Sequence, residues 1–215
     1  MLSVGIMGSA PDALKDLSMY KKEIDIWIGA DRGALTLINE QIQLDYAVGD
    51  FDSINDTEKR LIQEYAISLK EYPSEKSETD LEIALMKAMD LEADRVYLFG
   101  VTGGRLDHEL SNIQLLYSIA AKGVQGMIVN DNNYLELTFP GTYQITQDDH
   151  YPYISFIPFS KHVEALTLKG FYYPLSNQHI SWGSTLCISN KLIKKNGTFS
   201  FSEGILLLIK SRDEI

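Results

Sequence analysis

Apolar residues in the first part of this chain fall in short, nearly continuous runs, with stretches of helical spacing between them. Val4-Gly5-Ile6-Met7 is stopped by Gly8-Ser9-Ala10-Pro11. Ile24 to Ile28 leads into Gly29-Ala30-Asp31-Arg32-Gly33, and Tyr46-Ala47-Val48 into Gly49-Asp50. Arg95 to Phe99 leads into Gly100, and Met127-Ile128-Val129 into Asn130-Asp131. Short apolar runs closed by turn residues read as strands. The clearest helix lies between about Leu106 and Ala121, where Leu106, Leu110, Ile113, Tyr117 and Ala120 share one apolar face. Strand–helix alternation of this kind predicts a mostly parallel sheet covered by helices on both faces, a Rossmann-like α/β arrangement.

After about Asn133 the pattern changes. Short alternating runs are separated by turn signals at Pro140-Gly141, Gln147-Asp148-Asp149, Lys169-Gly170, Ser176-Asn177 and Asn196-Gly197. Thr198 to Lys210 is broken by Glu203-Gly204, and no comparable helical stripe occurs. This half reads as a small antiparallel sheet or β-sandwich. The expected division is an α/β domain over 1–132 and a β domain over 133–215.

Composition narrows the class of partner. A net charge of -11 argues against a nucleic-acid footprint, which needs a basic stripe to neutralise phosphates. It suits a cationic substrate. The lone Cys187 cannot form an internal disulfide, and the start Met1-Leu2-Ser3-Val4-Gly5 has no signal-peptide character. No segment has the ~20 apolar residues of a membrane span. The expectation is a cytoplasmic protein that meets neither membrane nor nucleic acid.

Carboxylates cluster where strands end or helices open. In an open α/β sheet this edge is where ligands bind. Like charges gathered there call for a cation. In Gly49-Asp50-Phe51-Asp52-Ser53, Asp50 and Asp52 can both reach one ion, and Mg²⁺ takes one or two carboxylates together with substrate phosphates. The same residues also suit a turn that caps the next helix. Thr79-Asp80-Leu81-Glu82 has capping-box spacing, which leaves Asp80 and Lys76 available to a ligand. In Gly100-Val101-Thr102-Gly103-Gly104-Arg105, paired glycines before a helix let backbone N–H groups approach an anion, and Arg105 offers paired donors. A plain glycine turn before an amphipathic helix is the alternative. Asp107 with Ser111 and His108 with Asn112 lie one helical turn apart, away from the apolar stripe. Asp31-Arg32-Gly33 adds a fourth strand-end acid.

A Walker A loop and a G-x-G-x-x-G fingerprint are absent, and no nucleophilic triad stands out. His150, His162 and His179 are scattered without metal-ligand spacing, and Leu186-Cys187-Ile188 reads as strand with a core thiol. Aromatics gather at Phe171-Tyr172-Tyr173 and Trp182, either as sandwich core or dimer interface, or as a stacking platform for a flat or cationic ring.

Taken in order and spacing, these segments resemble the thiamine pyrophosphokinase (thiamine diphosphokinase) family of the bacterial type. The resemblance covers nearly the whole chain. It rests on Asp31-Arg32-Gly33, Gly49 to Ser53, Lys76 with Thr79-Asp80-x-Glu82, Gly103-Gly104-Arg105-x-Asp107-His108 with Asn112, Gly170-x-x-Tyr173-Pro174-Leu175, and Ile188-Ser189-Asn190. It implies a homodimer that transfers the β,γ-pyrophosphoryl group of ATP to the thiamine hydroxyl and releases AMP. It implies Asp31, Asp50, Asp52 and Asp80 as the Mg²⁺–ATP carboxylates, with Asp107 in the same catalytic site. Arg32, Lys76, Thr79, Gly103, Gly104, Arg105, His108 and Asn112 are then expected along the nucleotide and phosphate path. Tyr173, Ser189 and Asn190 are expected on the thiamine side. The rival expectations are a related pyrophosphokinase acting on a pterin alcohol, and a non-catalytic nucleotide-binding dimer.

Overall fold

The computed structural model describes residues 1–11, 16–73, 75 and 77–213. Lys76 lies outside the described residues. The chain divides into two compact units, Met1–Asp131 and Asn132–Ile215.

The first unit contains β1 (Ser3–Met7), β2 (Ile26–Ala30), α1 (Gly33–Asn39), β3 (Leu44–Gly49), α2 (Asp56–Tyr65), β4 (Ala66–Glu71), α3 (Asp80–Asp90), β5 (Arg95–Phe99), α4 (Leu106–Ala120) and β6 (Gln125–Val129). All six strands pair in parallel, in the order β4-β3-β2-β1-β5-β6. Every residue of β1 is buried, so both of its faces are covered. The apolar runs of the sequence mark five of these strands. The sixth, β4, has no apolar run, because Ala-Ile-Ser-Leu-Lys-Glu forms a sheet edge with no fully buried residue.

The apolar face of α4 is not its buried face. Leu106, Leu110 and Tyr117 are 67%, 53% and 50% exposed, and the residues the helix buries fully are Leu116 and Ile119. Those two lie over β6, where Gly126 leaves room for both side chains. Periodicity locates apolar residues, but the docking of the helix decides which face is covered.

The second unit contains β7 (Asn133–Thr138), β8 (Gly141–Thr146), β9 (Tyr153–Pro158), β10 (His162–Lys169), β11 (Leu175–Ser181), β12 (Asn196–Phe201) and β13 (Leu206–Ser211). Strand β13 pairs antiparallel with β7 and β9. A second antiparallel sheet runs β11-β10-β12-β8. Their inner faces share one core that includes Phe156, Leu166, Leu168, Phe171, Phe199 and Leu208, the sandwich expected from sequence. Phe156 and Phe199 meet at 4.8 Å between ring centroids. Each such fully buried side chain contributes about 1.5–3 kcal/mol.

Three local readings change. Ser176-Asn177 is not a turn but lies within β11, with Asn177 in the left-handed region at φ 50°. Leu186-Cys187-Ile188 is turn rather than strand; its thiol is buried in the sandwich core, and burial pushes it up to about 11. His162 and His179 are not scattered, since their rings lie 6.0 Å apart and face Glu203 and Glu164 respectively.

Candidate active site

The strand order reverses between β1 and β5. The chain steps outward from β1 through β2 and β3 to β4, then returns to place β5 on the other side of β1. Helices leaving the two strands diverge at such a switch point and open a crevice at the carboxyl ends. A cavity of about 590 Å³ lies there, lined by Gly8 to Pro11 after β1 and by Gly100 and Val101 after β5. The two loops are tied by Gly8 N–H to the Phe99 carbonyl at 2.7 Å and Ala10 N–H to the Gly100 carbonyl at 2.8 Å. The loop after β5 is anchored by Asn112, whose amide donates to the Val101 carbonyl at 2.7 Å. Asn130 braces it too, donating to Thr102 Oγ1 at 2.8 Å.

Asp31 enters the cavity from the end of β2, in the left-handed region at φ 49°. Its Oδ1 is buried without a hydrogen-bond partner, while its Oδ2 accepts from Ser53 Oγ at 2.7 Å. Asp50 and Asp52 follow β3 on a loop whose middle residue, Phe51, is buried. The Asp52 N–H donates to Asp50 Oδ1 at 3.2 Å. Repulsion from Asp50, with smaller contributions from burial and from Asp31 and Asp80, holds the Asp52 carboxyl above its ordinary range. The Asp52 carboxylate therefore feels those of Asp50, Asp31 and Asp80. Among the described residues there is no group of three His, Cys, Asp or Glu side chains placed to hold a metal ion. A cation whose remaining ligands are phosphate oxygens and water does not need one. The unpaired Asp31 oxygen and the mutual repulsion fit a hard divalent ion.

Asp80 begins α3 and lines the cavity. Thr79 lines it too, but its side chain serves the helix. Its hydroxyl accepts Glu82 N–H at 3.2 Å while Glu82 Oε2 accepts Thr79 N–H at 2.9 Å. The capping box read from sequence is therefore formed, and Asp80 is held in the first turn beside the helix N-terminus.

The glycine-rich segment differs from the sequence reading. Gly104 lines the cavity, but its N–H already donates to Glu109 Oε1 at 2.8 Å. Arg105 grips Asp107 with two bonds, Nε to Oδ1 at 3.1 Å and Nη2 to Oδ2 at 2.6 Å. The Arg105 pair, aided by the His108 N–H, holds the Asp107 carboxyl down to about 2. Asp107, His108, Ser111 and Asn112 all line the cavity, as their spacing on α4 requires. Gly103 and Arg32 do not line it. Arg32 donates instead to the Ser53 carbonyl at 2.9 Å and to Glu58 at 3.1 Å.

In the second unit, Tyr173 is 59% exposed and sits edge-on to Tyr172 at 4.9 Å. Asn190 is buried and spends its amide on Tyr173. Its Oδ1 accepts Tyr173 N–H at 3.0 Å and its Nδ2 donates to the Tyr173 carbonyl at 2.8 Å. Ser189 is left-handed at φ 54°, with its N–H donating to Ser155 Oγ at 2.9 Å.

Residues 17–128 match the family model described as thiamin pyrophosphokinase, catalytic domain. Residues 142–206 match thiamin pyrophosphokinase, vitamin B1 binding domain. The chain belongs to the thiamine pyrophosphokinase family. A thiamine pyrophosphokinase from Bacillus subtilis (strain 168) is 46% identical over 214 residues, covering 99% of this chain and all of the relative. A crystal structure of thiamine pyrophosphokinase from the same organism superposes with TM-score 0.91 at 43% identity, covering 99% of this chain and 100% of that one. The thiamin pyrophosphokinase of Geobacillus thermodenitrificans gives 0.88 at 46%, covering 99% of both chains.

The stretch matched to the family's catalytic domain contains the acids from Asp31 to Asp107, and the vitamin B1 region contains Tyr173, Ser189 and Asn190. Sequence reasoning missed Gly8 to Pro11 as part of the cavity, treating them only as a strand breaker. The available signal was a glycine directly after the first strand, beside the switch point.

Proposed function

We propose that this chain transfers the β,γ-pyrophosphoryl group of ATP to the hydroxyl of thiamine, giving thiamine diphosphate and AMP. The observation that carries the proposal is the set of carboxylates after β2 and β3 and at the start of α3, with Asp31 and Asp80 lining the switch-point cavity and one buried Asp31 oxygen left bare, in a family that acts on thiamine. Asp31, Asp50, Asp52 and Asp80 would hold Mg²⁺. When bound, the ion offsets the triphosphate charge and polarises the phosphoryl group under attack.

The chain's own residues then act mainly by alignment. The two loops at β1 and β5 seat the nucleotide, with His108 and Asn112 along the α4 side. Arg105 exchanges Asp107 for phosphate, a stronger partner for paired donors. Lys76 and Thr79 belong to the same path. The thiamine oxygen bonds to Pβ as the bond from Pβ to the bridging oxygen of AMP breaks. The hydroxyl proton passes to a site carboxylate. Asp107 becomes available as that acceptor once Arg105 leaves it for phosphate.

On the acceptor side, Tyr173 supplies an exposed ring for the thiamine cation, Asn190 fixes the backbone beneath it, and Ser189 presents the adjoining hydroxyl. A homodimer is proposed on the exposed apolar side chains of the second unit, Trp182, Leu186, Ile188 and Ile193 among them. No helix among the described residues is long and apolar enough to cross a membrane. A cytoplasmic setting is proposed on the nucleotide substrate and the unpaired thiol.

Tyr173→Ala is expected to raise the KM for thiamine about tenfold, as for loss of about 1.4 kcal/mol of cation–ring contact, and to leave the KM for ATP unchanged. Equal effects on both constants would count against stacking. Product from a hydroxymethyl pterin, with none from thiamine, would select the related pyrophosphokinase.

A further inference from the structure

Asp31 is unusual in being held by one oxygen and bare at the other. Its main chain is fixed, with Asp31 N–H donating to the Val48 carbonyl at 2.9 Å and the Asp31 carbonyl accepting from Ala34 N–H at 3.1 Å. Gly49 allows β3 to come this close, since a Cβ there would lie 3.2 Å from Asp31 Cα. The side chain still has a rotation about its last bond that could carry Oδ1 away from its buried position. The Ser53 hydroxyl bond to Oδ2 opposes that rotation.

Ser53 is itself restrained. Its carbonyl accepts from Arg32 Nη1, and Arg32 Nη2 reaches Glu58 Oε1. Glu58 Oε2 accepts Asn55 N–H at 2.9 Å, while Asn55 Oδ1 caps the Thr57 and Glu58 N–H groups at 3.0 Å each. The N-terminus of α2 is thereby linked through Glu58, Arg32 and Ser53 to one carboxylate. Arg32 follows Asp31 in the chain, so the link closes a ring that starts and ends at the same residue.

We propose that Ser53 and Arg32 are positioning residues that keep Asp31 Oδ1 turned toward a divalent cation. This rests on the reading of Asp31 as a metal carboxylate. It moves Arg32 from the nucleotide path to the support of the Asp50–Ser53 loop. The Arg32–Glu58 pair is partly exposed, 46% and 28% at the side chains, so its contribution to overall stability is small. Its value lies in geometry. Partners that orient a ligand carboxylate typically control metal affinity about 10–100-fold without touching the ion.

The test is a Mn²⁺ titration of the full chain without nucleotide, read by the spin-resonance signal of free Mn²⁺. It is paired with the Mg²⁺ dependence of turnover and with thermal melting. Ser53→Ala is expected to weaken Mn²⁺ binding about 10–100-fold and raise the half-saturating Mg²⁺, with kcat largely recovered at high Mg²⁺ and the melting temperature unchanged. Ser53→Thr, which keeps the donor, should bind like the parent. Arg32→Gln should fall between the two. Parent-like Mn²⁺ binding by Ser53→Ala, while Asp31→Asn has lost it, overturns the positioning role. So does failure of Ser53→Thr to restore binding. Equal Mn²⁺ binding by the parent and Asp31→Asn removes Asp31 from the metal site, and with it the reading on which the inference rests.

Discussion

Asp31→Asn, Asp52→Asn and Asp80→Asn are each expected to lower kcat by at least about 10²–10³-fold with ATP, Mg²⁺ and thiamine, while the protein stays folded. The loss should be large because each change removes a carboxylate that would hold the cation offsetting the polyphosphate charge. Folding should not suffer. The Asp52 carboxyl is held above its ordinary range chiefly by Asp50, then by burial and by its hydrogen bond with Asp50, with Asp31 and Asp80 adding less. A carboxyl raised in the folded state binds protons more readily there than in the unfolded chain. Its ionisation therefore subtracts stability as pH rises through the raised range, and that loss is absent at pH below the unfolded value. Without divalent ion at neutral pH, Asp52→Asn should melt no lower than the parent, and any advantage should vanish in acid. Loss of the thermal transition in these variants would instead mark the acids as structural.

Gly33→Ala should be among the most destabilising single changes outside the sandwich core. Gly33 opens α1, and a Cβ built there falls on the Met7 carbonyl, with the Gly8 carbonyl 2.8 Å away. Both obstacles are backbone at the end of β1, which cannot yield as a side-chain tip would. Overpacking of this kind costs about 3 kcal/mol or more. For a chain of this size, that is a fall of about 6–12 °C in melting temperature. Activity should fall as well, because Asp31 and the loop after β1 would have to shift. Gly123→Ala is the control. Its φ of +77° carries strain of about 1–2 kcal/mol, but an added Cβ there meets nothing within 4 Å. Calorimetry that found the two variants equally stable would contradict the close approach of α1 to β1.

The architecture was readable because most strands announce themselves as apolar runs closed by Gly or Asp. Strand β4 was not, since an edge strand of Ala, Ile, Ser, Leu, Lys and Glu buries too little to leave a pattern. The apolar stripe Leu106, Leu110 and Tyr117 was read correctly as a stripe, yet it faces outward, because α4 docks through Leu116 and Ile119. Carboxylates at strand ends were legible because nothing in a core requires them. Their partners were not, since hydrogen bonds between distant segments leave no local signature. Ser53 reaching Asp31, Arg32 reaching Glu58 and Glu109 occupying the Gly104 N–H all depend on tertiary placement. Asn190 shows the same limit. Its amide holds the Tyr173 backbone at both the N–H and the carbonyl, a pairing across 17 residues that no local pattern announces.

The central claim is that the bond broken lies between the α and β phosphorus atoms of ATP. It is tested most directly by turning over ATP labelled at the α or at the β position with Mg²⁺ and thiamine, and separating the nucleotides from the thiamine esters. The α label is predicted in AMP and the β label in thiamine diphosphate, in equal amounts. Recovery of the β label in ADP, with thiamine monophosphate as the ester, would contradict it.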